Sequence, residues 1–325
     1  MTMRSYPSIW RRGLATSRDP KGENIVDVMN IGLVGTDSSH AVAFTKLLSD
    51  LTDANHVPGG KVIAAFSGGS IDFPLSADRV EGFMATLVSE FGVRRVQTPE
   101  EVAEACDAIL LTSADGRVHL DQFRRIAPYG KPVFIDKPLA LTSRDADEIF
   151  RIARQHQVPF MSSSALRYVQ PIADELELRG ATAVTGADVI GPLAVEPTQS
   201  YYFWYGIHSV ELLYALMGRG CSEVQVTTTD AYDLITATWE DGRLGTVKLS
   251  RLPETPFSAI IHREGQSSAV EIDLVRKPLY AGLLEQIIRL FHTQIPPLDW
   301  VETLEVIRFV EAAEESRRSG RPVRL

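Results

Sequence analysis

From Met29 to about residue 164, short apolar runs alternate with longer amphipathic ones, and this constrains the fold more than any other feature. "NIGLVG" leads into "HAVAFTKLLSDL", "KVIAAFS" into "ADRVEGFMATLVSEFG", and "AILLTS" into "VHLDQFRRIAPYG". "PVFID" is followed by a helical stretch from Arg144 to His156, and "VPFMSS" closes the series. Strands apolar on both faces, separated by helices, predict a parallel sheet covered on both sides. Thr98-Pro99-Glu100-Glu101 has the pattern of a capping box with proline in the first helical turn. The expectation is a doubly wound domain over residues 29–164, with its ligand crevice at the carboxyl ends of the strands.

After residue 164 the pattern changes. "SEVQVTTT", "DLITATWE", "LGTVKLSRL", "SAIIHREG" and "AVEIDLV" follow one another with few helices between them. Asp241-Gly242 separates two alternating runs and suggests a type I′ hairpin. A second α/β domain over residues 165–325, with a mostly antiparallel sheet, is therefore expected. Its last helix, "WVETLEVIRFVEAAEESRRSG", carries arginines in the final turn and stops at glycine. Residues 1–28 carry no such periodicity. They read as an N-terminal extension, or as sequence upstream of a true start at Met29.

The 325 residues suffice for two cores, and the net charge of −9 argues against nucleic acid as a partner. No apolar run reaches the ~20 residues of a membrane span. Cys106 and Cys221 offer no disulfide framework; Cys106, within "VAEACDAILL", reads as a buried thiol, and a reducing cytosol is the expected compartment. His119 and Asp115 lack companions at ligand spacing, so no metal is expected, and both read as a polar helix start at the crevice rim.

Two strand ends carry the chemistry. In "MNIGLVGTDSSH" only Gly35 survives of a G-x-G-x-x-G fingerprint, whose other glycine positions fall on Asp37 and His40. Asp37 places a carboxylate where a diphosphate would pass. That repulsion is relieved if Asp37 caps the helix, freeing the amides of Ser38, Ser39 and His40, or if His40 is protonated. The strand "KVIAAFS" ends in Ser67 with no acidic residue for a ribose diol, which favours NADP over NAD; Arg79 is the nearest base for a 2′-phosphate. In "VFIDKPLA", Lys137 follows a buried strand directly, so its ammonium can meet a ligand's reacting oxygen.

These motifs resemble the glucose–fructose oxidoreductase/inositol dehydrogenase/rhizopine-catabolism (Gfo/Idh/MocA) family. Asp136-Lys137-Pro138 is similar to its Glu-Lys-Pro motif, and Gly206, His208 and Glu211 in "YGIHSVELLYALMG" to its Gly-x-His-x-x-Asp/Glu motif. Arg167 resembles an arginine that follows the last strand of the nucleotide domain, and the chain's ending is also family-like. The resemblance covers residues 29–325. It implies a Rossmann domain joined to an α/β domain whose open sheet forms homo-oligomer contacts, dimer or tetramer. It further implies NAD or NADP and hydride transfer at a sugar, polyol or related small molecule. Lys137 would then position the substrate oxygen and His208 move its proton. Cofactor contacts are expected from Gly35, Asp37, Ser38, Ser39, His40, Ser67, Thr112, Ser113, Asp136 and Arg167.

One departure concerns the aspartate that often stands four residues before the histidine. Here that position is Trp204, in the aromatic run "YYFWYG", which can stack on a sugar ring or simply pack. Two non-redox readings accompany the dehydrogenase: a sugar-sensing binding protein, and a lyase or hydrolase using Lys137 and His208.

Overall fold

The computed structural model describes residues 28–178, 183–272 and 279–325. The expected N-terminal extension falls almost wholly outside these residues. Strands β1 (Met29–Val34), β2 (Gly60–Phe66), β3 (Arg94–Val96), β4 (Ala108–Leu111), β5 (Val133–Ile135) and β6 (Phe160–Met161) form one sheet in the order β3-β2-β1-β4-β5-β6. Every pairing in it is parallel. Helices α1 (Ser39–Ser49), α2 (Pro74–Phe91), α3 (Pro99–Ala105), α4 (His119–Ile126) and α5 (Ser143–His156) supply the crossovers. The expected doubly wound sheet is borne out. The strand order reverses at β1, which opens a crevice between the ends of β1 and β4.

Local sequence explains most boundaries. Thr98 Oγ1 accepts from Glu101 N at 3.2 Å, while the Glu101 carboxylate accepts from Gln97 N and the Thr98 hydroxyl rather than from Thr98 N. Pro128 ends α4 at Ile126, and a single 3-10 turn carries the chain to Gly130, whose φ is +64°. Helix α2 begins at Pro74, inside what the sequence suggested was loop. Proline in the first turn has no amide to leave unpaired, so it can open that helix.

After α6 (Gln170–Leu178), the second sheet contains β7 (Val184–Pro192), β8 (Cys221–Thr228), β9 (Tyr232–Trp239), β10 (Leu244–Ser250), β11 (Ser258–Arg263), β12 (Gln266–Glu271) and β13 (Val323–Arg324). Their order is β12-β11-β7-β10-β9-β8-β13, with β7 and β10 parallel and all other pairs antiparallel. Strand β7 was not evident in the sequence, yet it lies between β11 and β10. Helices α7 (Gly206–Met217) and α9 (Trp300–Ser319) pack against this sheet. The hairpin between β9 and β10 forms, but it is not type I′. Only Gly242 has positive φ, and Gly242 N bonds Trp239 O, so Asp241 needs no left-handed conformation.

Helix α8 (Leu279–Thr293) returns to the first sheet, where Leu284, Ile287 and Phe291 share a core with Ile31, Phe44 and Phe134. The contact is close. A Cβ on Gly282 would lie 2.2 Å from the carbonyl oxygen of Tyr168, so only glycine lets α8 cross the chain there. This docking carries Leu279 and Tyr280 to the crevice mouth. No described helix is long and apolar enough to cross a membrane.

Candidate active site

A cavity of about 260 Å³ lies at the carboxyl ends of the β1 and β5 strands, between the two sheets. Its wall includes Asp37, Ser38, Ser39, His40, Asp136, Lys137 and His208, all anticipated from sequence. Gly35, Ser67, Thr112, Ser113 and Arg167, anticipated with them, are not on the wall.

The turn after β1 departs from expectation. Gly35 has φ +88°, and a Cβ there would sit 2.1 Å from Ser113 Oγ and 2.5 Å from Ser113 N. The glycine therefore lets two protein segments touch, whatever it does for a ligand. Thr112 donates to Gly35 O at 2.6 Å and Ser113 to Gln122 Oε1 at 2.8 Å, so both hydroxyls are spent inside the protein.

Asp37 is not the cap of α1. Ser38 is, its Oγ accepting from His40 N at 3.2 Å, which takes one of the amides expected to be free. The Asp37 carboxylate turns inward instead, accepting from Ser76 Oγ at 2.6 Å and Ala114 N at 3.0 Å. Burial raises its pKa, with the Ser76 and Ala114 bonds opposing. It is 1% exposed and held by protein donors, so the repulsion expected toward a diphosphate is largely removed.

Asp136, at the end of β5, is equally buried but differently partnered. Its Oδ2 lies 2.5 Å from His40 Nδ1, and its Oδ1 accepts from Lys137 N at 2.8 Å. Burial alone would raise its pKa; His40 and Lys137 outweigh that and lower it. An ionised carboxylate only accepts, so His40 Nδ1 carries the proton in this bond. The His40 ring also packs on Tyr280, with centroids 4.6 Å apart.

Lys137 extends toward the second domain, its Nζ 5.5 Å from the centre of the Trp204 ring. Among the described residues the ammonium has no hydrogen-bond or carboxylate partner. Burial lowers its pKa, against the pull of Asp136. Opposite it, His208 opens α7, and its Nδ1 lies 2.8 Å from Ser164 Oγ, which fixes the ring. Burial, then Lys137 and His40, hold the imidazole well below its ordinary pKa, so it is neutral near pH 7. A neutral imidazole beside an ammonium can take a proton from a hydroxyl that the ammonium holds.

Arg167 serves structure. It ion-pairs with Glu211 of α7 and donates to Glu302 of α9 at 2.7 Å, fastening the chain after β6 to two helices. The motif glutamate Glu211 is thus the arginine's partner and not a wall residue. His119 is not at the rim: it is fully buried, with Nδ1 2.9 Å from Pro138 O and Nε2 2.8 Å from Ser113 O. It ties the Lys137 turn to the end of β4. Asp115 is held by Arg117 and by Gln199 Nε2 at 2.8 Å. The described residues contain no cluster of metal-ligating side chains.

Sequence reading missed Ser164, Phe257, Leu279 and Tyr280 on the wall. Tyr280 arrives only because α8 docks across the first sheet, and Phe257 only because β11 pairs with β7. Neither event leaves a local signal.

The donor chemistry fits a dinucleotide. The first turn of α1 and the guanidinium of Arg79 face the cavity, a setting that suits a diphosphate. At the end of β2, Ser67 Oγ is buried without a hydrogen-bond partner, a hydroxyl left over where a ribose would be met.

Such a fold is that of a dinucleotide-binding domain followed by a second α/β domain. Residues 29–164 match the model of the Gfo/Idh/MocA oxidoreductase family, described as having an NAD-binding Rossmann fold. Solved structures agree on the fold. The apo scyllo-inositol dehydrogenase of Lactobacillus casei superposes with a TM-score of 0.75 at 13% identity, covering 92% of this chain and 98% of that one. The myo-inositol 2-dehydrogenase of Lactobacillus plantarum gives 0.74 at 12% identity, over 92% and 100%. An Agrobacterium radiobacter oxidoreductase, in complex with NAD+, L-tartaric acid and magnesium, gives 0.69 at 15%, over 91% and 98%. No curated protein sequence matches the chain.

Proposed function

We propose that this protein is an NAD(P)-dependent dehydrogenase or reductase acting on the CH–OH or C=O carbon of a small sugar- or polyol-like substrate. The observation that carries the reading is the convergence of Lys137 and His208 on one cavity beside the first turn of α1. Ser39 and the N-terminus of α1, with Arg79 and Ser67, would hold the dinucleotide, which when bound accepts or returns a hydride. The absence of a carboxylate at the end of β2 supports NADP at least as well as NAD. Lys137 holds the substrate oxygen, His208 moves its proton, and Trp204 with Tyr205 and Phe257 forms an aromatic wall that excludes water. Residues 29–164 then bind cofactor, and residues 165–325 bind substrate and present the open sheet face for homo-oligomer contacts.

The test is calorimetric titration of NADP and NAD, coupled to turnover of two variants. Lys137→Met should abolish turnover and leave cofactor affinity within a few-fold. His208→Asn should slow it roughly 10²–10⁴-fold. Full activity in His208→Asn, or no binding of either cofactor, would defeat the proposal and return the field to a sugar-binding or lyase role.

A further inference from the structure

We propose that the substrate is a small sugar acid, its carboxylate adjacent to the reacting CH–OH and both held by Lys137. This rests on the proposed function above and narrows it.

The donors and acceptors on the wall are unequally free. Two carboxylates reach it, and both are already engaged: Asp37 by Ser76 and Ala114, Asp136 by His40 and the Lys137 amide. Glu211, the nearby motif acid, is committed to Arg167. Trp204 occupies the position four residues before His208 and lies against the ammonium as a ring face, not a charge. Among the described residues, then, Lys137 offers three donors to the cavity and makes no direct ion pair there, Asp136 acting on it only at longer range. Neutral polyols need acceptors as well as donors, because each hydroxyl brings a proton of its own. The accepting capacity left is small: one nitrogen of His208 and the hydroxyls of serines and of Tyr205 and Tyr280, each of which carries a proton as well. A ligand that supplies acceptors and negative charge fits better. A carboxylate next to a hydroxyl does both, since its oxygen and the hydroxyl oxygen can share one ammonium while His208 takes the hydroxyl proton. The pairing gains strength from partial desolvation.

A linked proton follows. Burial lowers the Lys137 pKa, with Asp136 pulling the other way, and His40 and His208 face the same space. A bound carboxylate favours the charged ammonium, so acid binding should take up protons as pH rises through the lowered Lys137 pKa.

The experiment compares matched pairs differing only in the acid group: D-gluconate with D-glucitol, D-galactonate with galactitol, and D-glycerate with glycerol. Each is titrated calorimetrically into protein carrying NADPH or NADP, in buffers of differing ionisation enthalpy, and turnover is recorded separately. At least one acid should bind tenfold or more tightly than its polyol, with proton uptake in alkaline buffer. Lys137→Met should erase that preference, Lys137→Arg should keep most of it, and His208→Asn should leave it in place. Equal binding of acids and polyols, binding of no acid, or a preference that survives Lys137→Met overturns the proposal. Polyol oxidation without acid preference would sink the sugar-acid assignment and keep the oxidoreductase. Acid preference without hydride transfer would do the reverse.

Discussion

Two aspartates that follow parallel strands β1 and β5 of one sheet are buried to almost the same degree, Asp37 at 1% and Asp136 at 3% exposure, yet their pKa values move in opposite directions. Asp37 meets a hydroxyl and an amide, which hydrogen-bond it without supplying a charge. Asp136 meets an imidazole and the ammonium-bearing residue beside it. Partner chemistry, not burial, decides in which direction each carboxyl moves. The consequence reaches the site: beside Lys137 the cavity keeps an ionised Asp136 bonded to His40, while the Asp37 carboxyl in the turn after β1 is held by uncharged protein donors.

The largest effect that would break this contrast comes from Asp136→Asn. It takes the charged acceptor from two buried donors, His40 Nδ1 and Lys137 N, and should cost about 3 kcal/mol of unfolding free energy at pH 7, measured by urea titration. A cost near zero would mean that these bonds add nothing beyond what an amide oxygen supplies. Asp37→Ala should cost less, about 1–3 kcal/mol, by leaving Ser76 Oγ and Ala114 N without their acceptor. Asp37→Asn, which can still accept from Ala114 and donate to Ser76, should fall within about 1 kcal/mol of the parent. If it instead weakens NADP binding sharply, Asp37 has a ligand role that its inward bonds do not suggest.

The finest discrimination is in pH. Asp136 has a lowered folded-state pKa, so its stabilisation is complete above the ordinary aspartate value of 3.8 and disappears as pH falls through the lowered value. Asp37 has a raised one, so its contribution is complete below 3.8 and is lost as pH rises through the raised value. Denaturation midpoints followed from acid to neutral pH should therefore show the gap between parent and Asp136→Asn opening below the ordinary aspartate value and level above it. Asp37→Asn should gain on the parent over the same range. Parallel curves for the two variants would erase the distinction.

The Lys137 region was readable because its signals are local. An apolar strand followed at once by Asp136-Lys137-Pro138 points a lysine at the strand-end crevice in any parallel α/β sheet. The turn at Gly35 was read less well. The sequence places Asp37 and His40 at fingerprint positions, but it does not show that Ser76, 39 residues on, turns the carboxylate away. Arg167 misled for the same reason: Glu211 and Glu302, which bury it, arrive from two different helices.

What the sequence by itself determined is the alternation of apolar strands and helices, the family resemblance of its motifs, and the candidates Lys137 and His208. Each rests on periodicity or short motifs whose physics is confined to a few neighbouring residues. What only the tertiary structure decided is the company those residues keep: Tyr280 on His40, Trp204 over Lys137, Ser164 on His208, and Asp37 facing inward. Charge state depends on the solvent and partners around a group, and those are set by contacts between segments far apart in the chain.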